Sequence, residues 1–357
     1  MLAPRLSALD LAQELGHERV LIVQEPAVGL RAVIAVHDTT FGPAIGGTRM
    51  RHYASFDGAV EDALLLSRAM TSKAVFAGMP CGGGKAVICG DPARAKTPEL
   101  LMAYGRAVDE LGGRFFTGCD MGIEIRDLAV MARATRYIGH TPSDARHDAS
   151  DLTAIGVVAA MRSVAERLEK PLFQCTVAIQ GVGEVGGRLA ERLAGEGCKL
   201  VVADSVRGRA TAFVRAAGAK QVEVEEILET ECDLFSPNAG GGVVTESVAE
   251  RIRCRAVVGA ANNPLHSARA GEILAERGIL YAPDYVANAG GLLSVLFERG
   301  ELDEDGIVRR VERIGADLAA LFDEAERDRL PPFRIADRIV AERLAAARAA
   351  KAAANRP

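Results

Sequence analysis

One lysine stands directly behind three consecutive glycines. The stretch "MPCGGGKAVICGDP" (79–92) brings Lys85 into an otherwise apolar segment. A run of glycine is entropically costly, so the backbone here must either come close to a neighbour or turn sharply. A phosphate-binding P-loop needs glycine six residues before the lysine and Ser or Thr directly after it, but those positions hold Met79 and Ala86. Lys85 therefore serves other chemistry.

Acid–base catalysis is the chemistry that Lys85 fits. A partly buried lysine beside another cation can lose its proton near neutral pH and act as a base. Lys73, in "MTSK", is a candidate for that second cation, and the carboxylate of an amino acid would pair with it. Histidine is the more usual proton carrier for hydroxyl substrates, but the six histidines form no pattern linked to the glycines. Each lysine could still be ordinary: Lys73 a solvated helix-end residue, Lys85 a residue after a turn.

A second glycine cluster has the spacing of a dinucleotide-binding loop. Gly181, Gly183 and Gly186 form G-x-G-x-x-G between a predicted strand, "TVAIQ", and a predicted helix. The first glycine would make the tight turn, the second would let the backbone approach a pyrophosphate, and the third would permit close packing. The helix N-terminus would supply free amides to the phosphates. The alternative is a glycine-rich turn that binds no ligand.

Asp204 ends the next predicted strand, "KLVVAD". An acidic residue there hydrogen-bonds the ribose hydroxyls and repels a 2′-phosphate, so it favours NAD over NADP. Arg207 and Arg209 follow closely in the sequence, so NADP remains an alternative cofactor.

The first half of the chain mixes strands with helices. "RVLIVQE" and "LRAVIAVHD" are rich in Val and Ile and predict strands. "SFDGAVEDALLLSRAMTSKAV" and "TPELLMAYGRAVDEL" have helical apolar spacing, with Ser55 or Asp57 and then Thr97 as N-caps. The polar, turn-rich segment 139–151 is the predicted inter-domain connection.

The second half alternates short apolar runs with helical segments. "CTVAIQ", "KLVVAD", "CDLFSPN", "AVVGAAN" and "ILYAPD" predict a parallel sheet with helices on both faces. From about Glu301 onward the pattern predicts charged amphipathic helix, and its Ala/Arg-rich end is expected to fray.

Composition narrows the function classes. The chain has 357 residues, which favours two domains, and its net charge of −5 without tryptophan argues against nucleic-acid binding. No apolar run approaches a membrane span, and the N-terminus does not resemble a secretion signal. The seven cysteines include no C-x-x-C pair, so we expect a reduced, cytoplasmic protein without a metal site.

Several motifs in one order resemble the Glu/Leu/Phe/Val dehydrogenase family, in its amino-acid dehydrogenase branch. They are "HDTTFGPAIGGTRM", "MTSKAVFAGMPCGGGKAVICGDP", "TGCDMG", "GAANNPL" and "YAPDYVANAGG", and they span nearly the whole chain. The resemblance implies an α/β fold of two domains. A mixed-sheet substrate and catalytic domain would occupy 1–140, joined by C-terminal helices at about 325–357, and a Rossmann-type doubly wound NAD-binding domain would occupy 141–324.

The resemblance also implies roles for individual residues. Lys85 would be the catalytic base, Lys73 would hold the substrate α-carboxylate, and Asp120 would assist proton transfer. Asp120 could instead cap the helix "MGIEIRDLAVMARA". The remaining substrate-binding residues implied are Gly46, Gly118, Asn262, Asn288 and Leu292. The cofactor-binding residues implied are Arg49, Ser150, Thr153, Gly181, Gly183, Glu184, Val185, Gly186, Asp204, Ala239, Gly240 and Asn262.

The substrate pocket is expected to be apolar. Glutamate dehydrogenases place a lysine just before the G-G-x-R motif, where this chain has Ile45, and an apolar residue cannot compensate a buried carboxylate. Gly118 and Leu292 resemble the phenylalanine and tryptophan dehydrogenases more than the leucine enzymes. We therefore expect an aromatic amino acid, with leucine and valine as alternatives.

The predicted activity is reversible NAD-dependent oxidative deamination of an apolar L-amino acid to its 2-oxo acid and ammonia. The site would lie in a cleft between the domains, and the protein is expected to be a homo-oligomer. Two other classes stay open: an NAD-dependent oxidoreductase acting on a hydroxy or imino acid, and a non-catalytic NAD-binding regulator.

Overall fold

The computed structural model describes residues 7–139, 147–206 and 208–354. Residue contacts divide the chain into two compact units, here called unit 1 (Met1–His140 with Val340–Pro357) and unit 2 (Thr141–Ile339). Most of the predicted connection at 139–151 lies outside the described residues. For the last residues of this segment the prediction of a turn is wrong: Asp148 caps a helix that begins at Ala149.

Unit 1 is built on a mixed sheet. Its described strands are β1 (Arg19–Glu25), β2 (Leu30–Asp38), β3 (Ala44–Arg51), β4 (Gly82–Cys89) and β5 (Phe115–Cys119). Its helices are α1 (Ala8–Leu15), α2 (Phe56–Phe76), α3 (Pro92–Ala95), α4 (Pro98–Asp109) and α5 (Ile125–Met131). The strand order is β1-β2-β4-β3-β5, with β1 and β4 antiparallel to β2, and β3 parallel to both β4 and β5.

Both faces of this sheet are covered, which explains the continuous apolar run of β2. Ile34 and its neighbours two residues away pack on α4, whereas Val33 and Ala35 pack on α1 and α2. The predicted caps are present: Ser55 Oγ accepts from Gly58 N at the start of α2, and Thr97 accepts from Leu100 N at the start of α4.

The glycine triplet does not form a turn. Gly82, Gly83 and Gly84 lie inside β4, and their requirement is close approach. A Cβ on Gly83 would lie 2.0 Å from Thr71 N of α2, and one on Gly84 would lie 2.6 Å from Phe115 Cδ2. The glycines therefore let a helix and an aromatic ring pack against the strand that carries Lys85.

Unit 2 contains a parallel sheet. Its described strands are β6 (Thr176–Gln180), β7 (Lys199–Ala203), β8 (Lys220–Gln221), β9 (Leu234–Pro237), β10 (Ala256–Val257) and β11 (Leu280–Tyr281). The order is β11-β10-β9-β6-β7-β8, and every pair is parallel. This order runs outward in both directions from the β9–β6 pair, so the predicted doubly wound, Rossmann-type sheet is confirmed.

Nine further helices lie wholly in unit 2, within the residues that the structure describes. They are α6 (Ala149–Arg167), α7 (Glu184–Gly195), α8 (Arg209–Ala217), α9 (Glu246–Arg251), α10 (Ala268–Glu276), α11 (Asp284–Ala287), α12 (Gly290–Glu298), α13 (Glu304–Glu312) and α14 (Ile314–Asp328).

The last helix, α15 (Pro332–Ala354), belongs to unit 2 as far as Ile339 and to unit 1 from Val340. Its Ala/Arg-rich end is helical as far as Ala354. Arg343 donates to the carbonyls of Val75 and Phe76 at the end of α2. Arg348 pairs with the buried Asp38. These two contacts hold the end of the helix on unit 1.

Candidate active site

Lys85 and Asp120 form an ion pair in unit 1. Lys85 lies in β4, is only 7% exposed, and its Nζ is 2.6 Å from Asp120 Oδ2, just after β5. Strand β3 runs between β4 and β5, and it carries Gly47 there. A Cβ on Gly47 would lie 3.0 Å from Asp120 Cβ, so the missing side chain leaves Asp120 room to reach Lys85. Lys85 is therefore not a residue after a turn.

Asp120 does not cap a helix. The N-cap of α5 is Glu124, whose backbone N–H donates to Asp127. The carboxylate of Asp120 instead accepts from two cations: Lys85, and Arg49 of β3, whose Nε lies 3.1 Å from Oδ2. The capping alternative is therefore wrong.

The neighbouring cations control the charge of Asp120. Burial alone would raise the pKa of this carboxyl, but the charges of Lys85 and Arg49 outweigh it and lower the pKa to about 2. Asp120 is therefore a carboxylate at every physiological pH, so it can accept a proton that a neighbouring group transfers to it.

Arg49 connects this pair to a second carboxylate. Its Nη1 lies 3.1 Å from Asp62 Oδ2, and Tyr53 Oη donates to the same oxygen at 2.5 Å. Asp62 lies on α2 and Tyr53 in the segment before it. Sequence reasoning assigned Arg49 to the cofactor and missed both Asp62 and Tyr53.

A signal for Asp62 was present in the sequence. Asp62 precedes Lys73 by three helical turns, a spacing that places both residues on one face of α2. Lys73 itself is 9% exposed in the last turn of α2, so it is not the solvated helix-end lysine that was the alternative.

The two glycines assigned to the substrate differ in their surroundings. A Cβ on Gly46 of β3 would lie 1.7 Å from the carbonyl oxygen of Gly84, so this position cannot accept a side chain. A Cβ on Gly118 of β5 would meet no atom within 4 Å. Gly118 therefore borders open space in unit 1.

In unit 2 the G-x-G-x-x-G loop joins β6 to α7, as predicted. Gly181 has φ +87°, a left-handed conformation that favours glycine. A Cβ on Gly186 would lie 2.0 Å from Gly181 O, whereas one on Gly183 would meet nothing nearer than 3.9 Å. The loop thus has the tight turn, the close packing and the open backbone that a pyrophosphate needs. Glu184 and Val185 begin α7 directly after it.

Asp204 follows β7 and is bound to this loop. Its Oδ2 accepts from Val182 N at 2.9 Å, and its Oδ1 accepts from Val206 N at 2.7 Å. Arg209 Nη1 lies 3.9 Å from Asp204 Oδ1, and Arg207 lies outside the described residues. The carboxylate is thus held beside the glycine loop, and Arg209 is the one cation near it that the described residues offer.

Two asparagines lie together elsewhere in unit 2. Asn288 Nδ2 donates to Asn262 Oδ1 and to the carbonyl of Ala260, each at 3.0 Å. Asn288 is 3% exposed, and no donor in the described part of the chain reaches its Oδ1. An unmatched buried acceptor is costly, so this oxygen fits a ligand that brings an N–H.

The other assigned residues are placed by the same elements. Leu292 is buried in α12, close in sequence to Asn288. Ser150 and Thr153 lie in the first turns of α6, and Thr153 Oγ1 donates to Ala149 O. Ala239 and Gly240 are exposed after β9, and the loop residue Gly181 packs on Ala239.

Within the described residues, no cluster of three or more His, Cys, Asp or Glu could hold a metal ion. The same residues include no helix that is both long and apolar enough to cross a membrane.

Family models match both units. That of the Glu/Leu/Phe/Val dehydrogenase dimerisation domain matches residues 17–137, and that of glutamate/leucine/phenylalanine/valine dehydrogenase matches residues 202–313. The chain belongs to this family. The predicted resemblance is therefore confirmed, and the protein is an oxidoreductase of the amino-acid dehydrogenase type. The family normally uses a nicotinamide cofactor.

Individual members of the Glu/Leu/Phe/Val dehydrogenase family are similar over nearly their full length. The chain is 39% identical to leucine dehydrogenase of Thermoactinomyces intermedius, over 95% of this chain and 94% of the relative. It is 42% identical to phenylalanine dehydrogenase of the same organism, over 94% and 93%. The solved structure of L-tryptophan dehydrogenase from Nostoc punctiforme shares 37% identity and a TM-score of 0.79, over 95% of this chain and 99% of that chain.

Proposed function

We propose that this protein catalyses the reversible, NAD-dependent oxidative deamination of an apolar L-amino acid to its 2-oxo acid and ammonia. The observation that carries the proposal is the buried contact of 2.6 Å between Lys85 Nζ and Asp120 Oδ2. A lysine and a carboxylate in hydrogen-bond contact can move protons between water and an amine. The family supplies the reaction class in which such transfers are needed.

Lys73 and Asn262 would hold the substrate, and NAD, when bound, accepts the hydride from its Cα. The ammonium of Lys73 would pair with the α-carboxylate. Hydride loss from Cα leaves an iminium, and a water molecule then adds to that carbon. Lys85 in its neutral form would take the proton of this water, and the Asp120 carboxylate would relay that proton from Lys85 to the amine. Lys85, neutral again, would then take the hydroxyl proton while the C–N bond breaks, which releases ammonia and the 2-oxo acid.

The dinucleotide would be held by unit 2. The open backbone at Gly183 and the amides at the start of α7 fit the pyrophosphate, and Asp204 fits the ribose hydroxyls. The unmatched Oδ1 of Asn288 fits an N–H of the substrate amine. Ser150, Thr153, Ala239 and Gly240 are proposed to line the rest of the cofactor site, and Arg49 is proposed to contact the cofactor.

An aromatic amino acid is the proposed substrate. Ile45 offers no charge to a side-chain carboxylate, and the open space at Gly118 leaves room for a ring. Leucine and phenylalanine dehydrogenases are almost equally similar to this chain, at 39% and 42% identity, so overall similarity does not select between them. The space beside Gly118 is the local feature that favours phenylalanine or tryptophan.

A substrate panel tests this proposal. The purified protein is mixed with NAD or NADP and each of L-phenylalanine, L-tryptophan, L-leucine, L-valine and L-glutamate, and absorbance of the reduced cofactor is followed. We expect activity with NAD and a higher kcat/KM for the aromatic pair. In the reverse direction the 2-oxo acid should require ammonia; turnover without ammonia would instead indicate a hydroxy-acid oxidoreductase. Cofactor binding with no turnover on any substrate would indicate a regulator.

We also propose that the protein is a cytoplasmic homo-oligomer. The match of residues 17–137 to a dimerisation domain supports self-association. The seven cysteines include no C-x-x-C pair, and such an odd, unpatterned set fits a reducing compartment. Light scattering coupled to gel filtration tests the homo-oligomeric state, since a monomer at micromolar concentration would contradict it.

A further inference from the structure

We propose that Asp62, held by Tyr53, is a positioning residue that fixes Arg49 and so keeps Asp120 available to Lys85. This inference rests on the proposed function, because it assigns a task around the same proton-transfer pair. It adds two residues, from α2 and the segment before it, to the contacts of Arg49, Lys85 and Asp120, which lie on or just after three neighbouring strands of unit 1.

The contacts form an unbroken series. Tyr53 Oη donates to Asp62 Oδ2 at 2.5 Å, and Arg49 Nη1 lies 3.1 Å from that oxygen. Arg49 Nε then donates to Asp120 Oδ2 at 3.1 Å, and Lys85 Nζ lies 2.6 Å from the same atom. Arg49 therefore uses different nitrogens for the two carboxylates.

This division of donors limits what Arg49 can do to Asp120. A guanidinium with nothing to hold it pairs with a carboxylate through two parallel hydrogen bonds. Asp62 holds Nη1, and in the orientation this gives the guanidinium, Arg49 reaches Asp120 through Nε. Without Asp62 the guanidinium would be free to take both oxygens of Asp120 and compete with Lys85.

Within this series of contacts the charges balance only when Asp62 is included, and Arg51 adds a further cation, 4.9 Å from the centroid of the Tyr53 ring. Two cations, Arg49 and Lys85, face two carboxylates, Asp62 and Asp120. The side chains of Arg49, Asp62 and Asp120 are only 15%, 26% and 23% exposed, so solvent screens these charges less than at the surface. Loss of Asp62 would leave one uncompensated positive charge beside Asp120.

Tyr53 fixes the carboxylate of Asp62. Burial and then the hydrogen bond to Asp62 raise the pKa of the Tyr53 hydroxyl, so it stays protonated and remains a donor throughout the physiological range. The hydroxyl thus orients Asp62 toward Arg49 without adding a charge.

The test compares Asp62→Asn with Asp57→Asn, which removes an equal charge from an exposed position of the same helix. Each variant is assayed with the best amino acid of the panel, and NADH binding is measured by fluorescence. We expect Asp62→Asn to lower kcat roughly 10- to 100-fold with a nearly unchanged KM, as for a misplaced catalytic group. Asp57→Asn should retain the wild-type rate.

The pH profile separates positioning from a general structural defect. With the negative charge of Asp62 removed, protonated groups beside Arg49 lose protons more easily, so the acidic limb of kcat/KM should move to lower pH. Tyr53→Phe should change the rate in the same direction but less, and it keeps the proposal testable if Asp62→Asn does not fold. Asp62→Glu should restore part of the rate.

A double variant tests the route through Arg49. If Asp62 acts through Arg49, Asp62→Asn added to Arg49→Gln should cause little further loss. Full additivity, or a wild-type rate and pH profile for Asp62→Asn in an active enzyme, would overturn the positioning role. An inactive wild-type protein would instead overturn the proposed function, so the two failures are distinguishable.

Discussion

The two units build their candidate sites in opposite ways. In unit 2 the glycine loop and the carboxylate bound to it lie within one stretch, from Gly181 to Asp204. In unit 1 the charged groups come from β3, β4, the end of β5 and α2, and they meet only because the sheet brings those elements together. A local pattern can reveal the first kind of site but not the second.

Glycine marks both sites, but for different physical reasons. Gly181 needs a positive φ, and this requirement is typical of a turn. Gly46, Gly83 and Gly84 have ordinary strand conformations and are needed because a Cβ would collide with a neighbouring strand, helix or ring. A glycine in a sequence therefore indicates close approach as readily as it indicates a turn.

The largest expected effect is on chemistry in unit 1. Lys85→Ala should lower kcat by about 10²–10⁴-fold, the usual contribution of a general acid or base. NADH affinity, measured by fluorescence, should be nearly unchanged, because the proposed dinucleotide residues lie mainly in unit 2.

Lys170→Ala is the matched control for that variant. Lys170 pairs with Asp233 in unit 2 at 2.7 Å, about the separation of Lys85 and Asp120. Its loss should reduce stability without a comparable loss of turnover. Wild-type turnover in Lys85→Ala would exclude Lys85 as the base.

The second effect is on cofactor binding in unit 2. In Gly186→Ala the added Cβ would lie 2.0 Å from Gly181 O, a backbone atom that cannot yield without moving the loop. Such overpacking costs about 1–3 kcal/mol, so NADH should bind roughly 5- to 150-fold more weakly.

Gly195→Ala provides the comparison within the same helix. Its Cβ would meet no atom within 4 Å, so stability should stay equal or rise by up to about 1 kcal/mol through helix propensity. Titration of NADH and thermal unfolding measure both variants. Equal NADH affinity in the two would contradict the proposed role of the loop.

Sequence reasoning succeeded where structure depends on neighbours in the chain. The N-caps Ser55 and Thr97 and the strand-turn-helix around Gly181 follow from local hydrogen bonding and φ preferences. It left open whether the glycine triplet approaches a neighbour or turns, and whether Asp120 caps a helix, because the surroundings of these residues come from parts of the chain far away in sequence. Lys85 was singled out by the glycines before it, Asp120 was named only through the family resemblance, and the Asp62 contact was missed entirely.

The third effect concerns acid stability and should appear in unit 1. Burial, and then the charge of His37, lower the pKa of His17 from 6.5 to about 4. Between these values the unfolded chain binds a proton that the folded chain does not, so stability falls as pH decreases from about 6.5 to about 4. At pH 5 the loss from His17 alone is about 2 kcal/mol relative to pH 8.

His17→Gln should remove this part of the pH dependence. The measurement is urea unfolding at pH 8 and pH 5, with hydrogen exchange to locate the change. Amides of α1 and α2 should lose protection at pH 5 before those of β6 and β7, because His17 bonds Ser67 of α2. An identical pH dependence in the variant and the wild type would show that His17 is already protonated in the folded protein.

The smallest effect is on substrate choice, at the edge of the unit 1 sheet. Gly118 lies in β5, its φ is outside the left-handed range, and an added Cβ meets nothing within 4 Å. Gly118→Ala should therefore fold normally, so a change in specificity reports on the space beside it. We expect kcat/KM for L-phenylalanine and L-tryptophan to fall about fivefold relative to L-leucine, as one methyl group usually costs about 1 kcal/mol. Lys85 and Asp120 are untouched, so L-leucine should still be turned over.

An equal change for all four apolar amino acids would mean that the open space at Gly118 does not face the substrate. A wild-type preference for leucine or valine would mean that this space, although present, is not used for a ring.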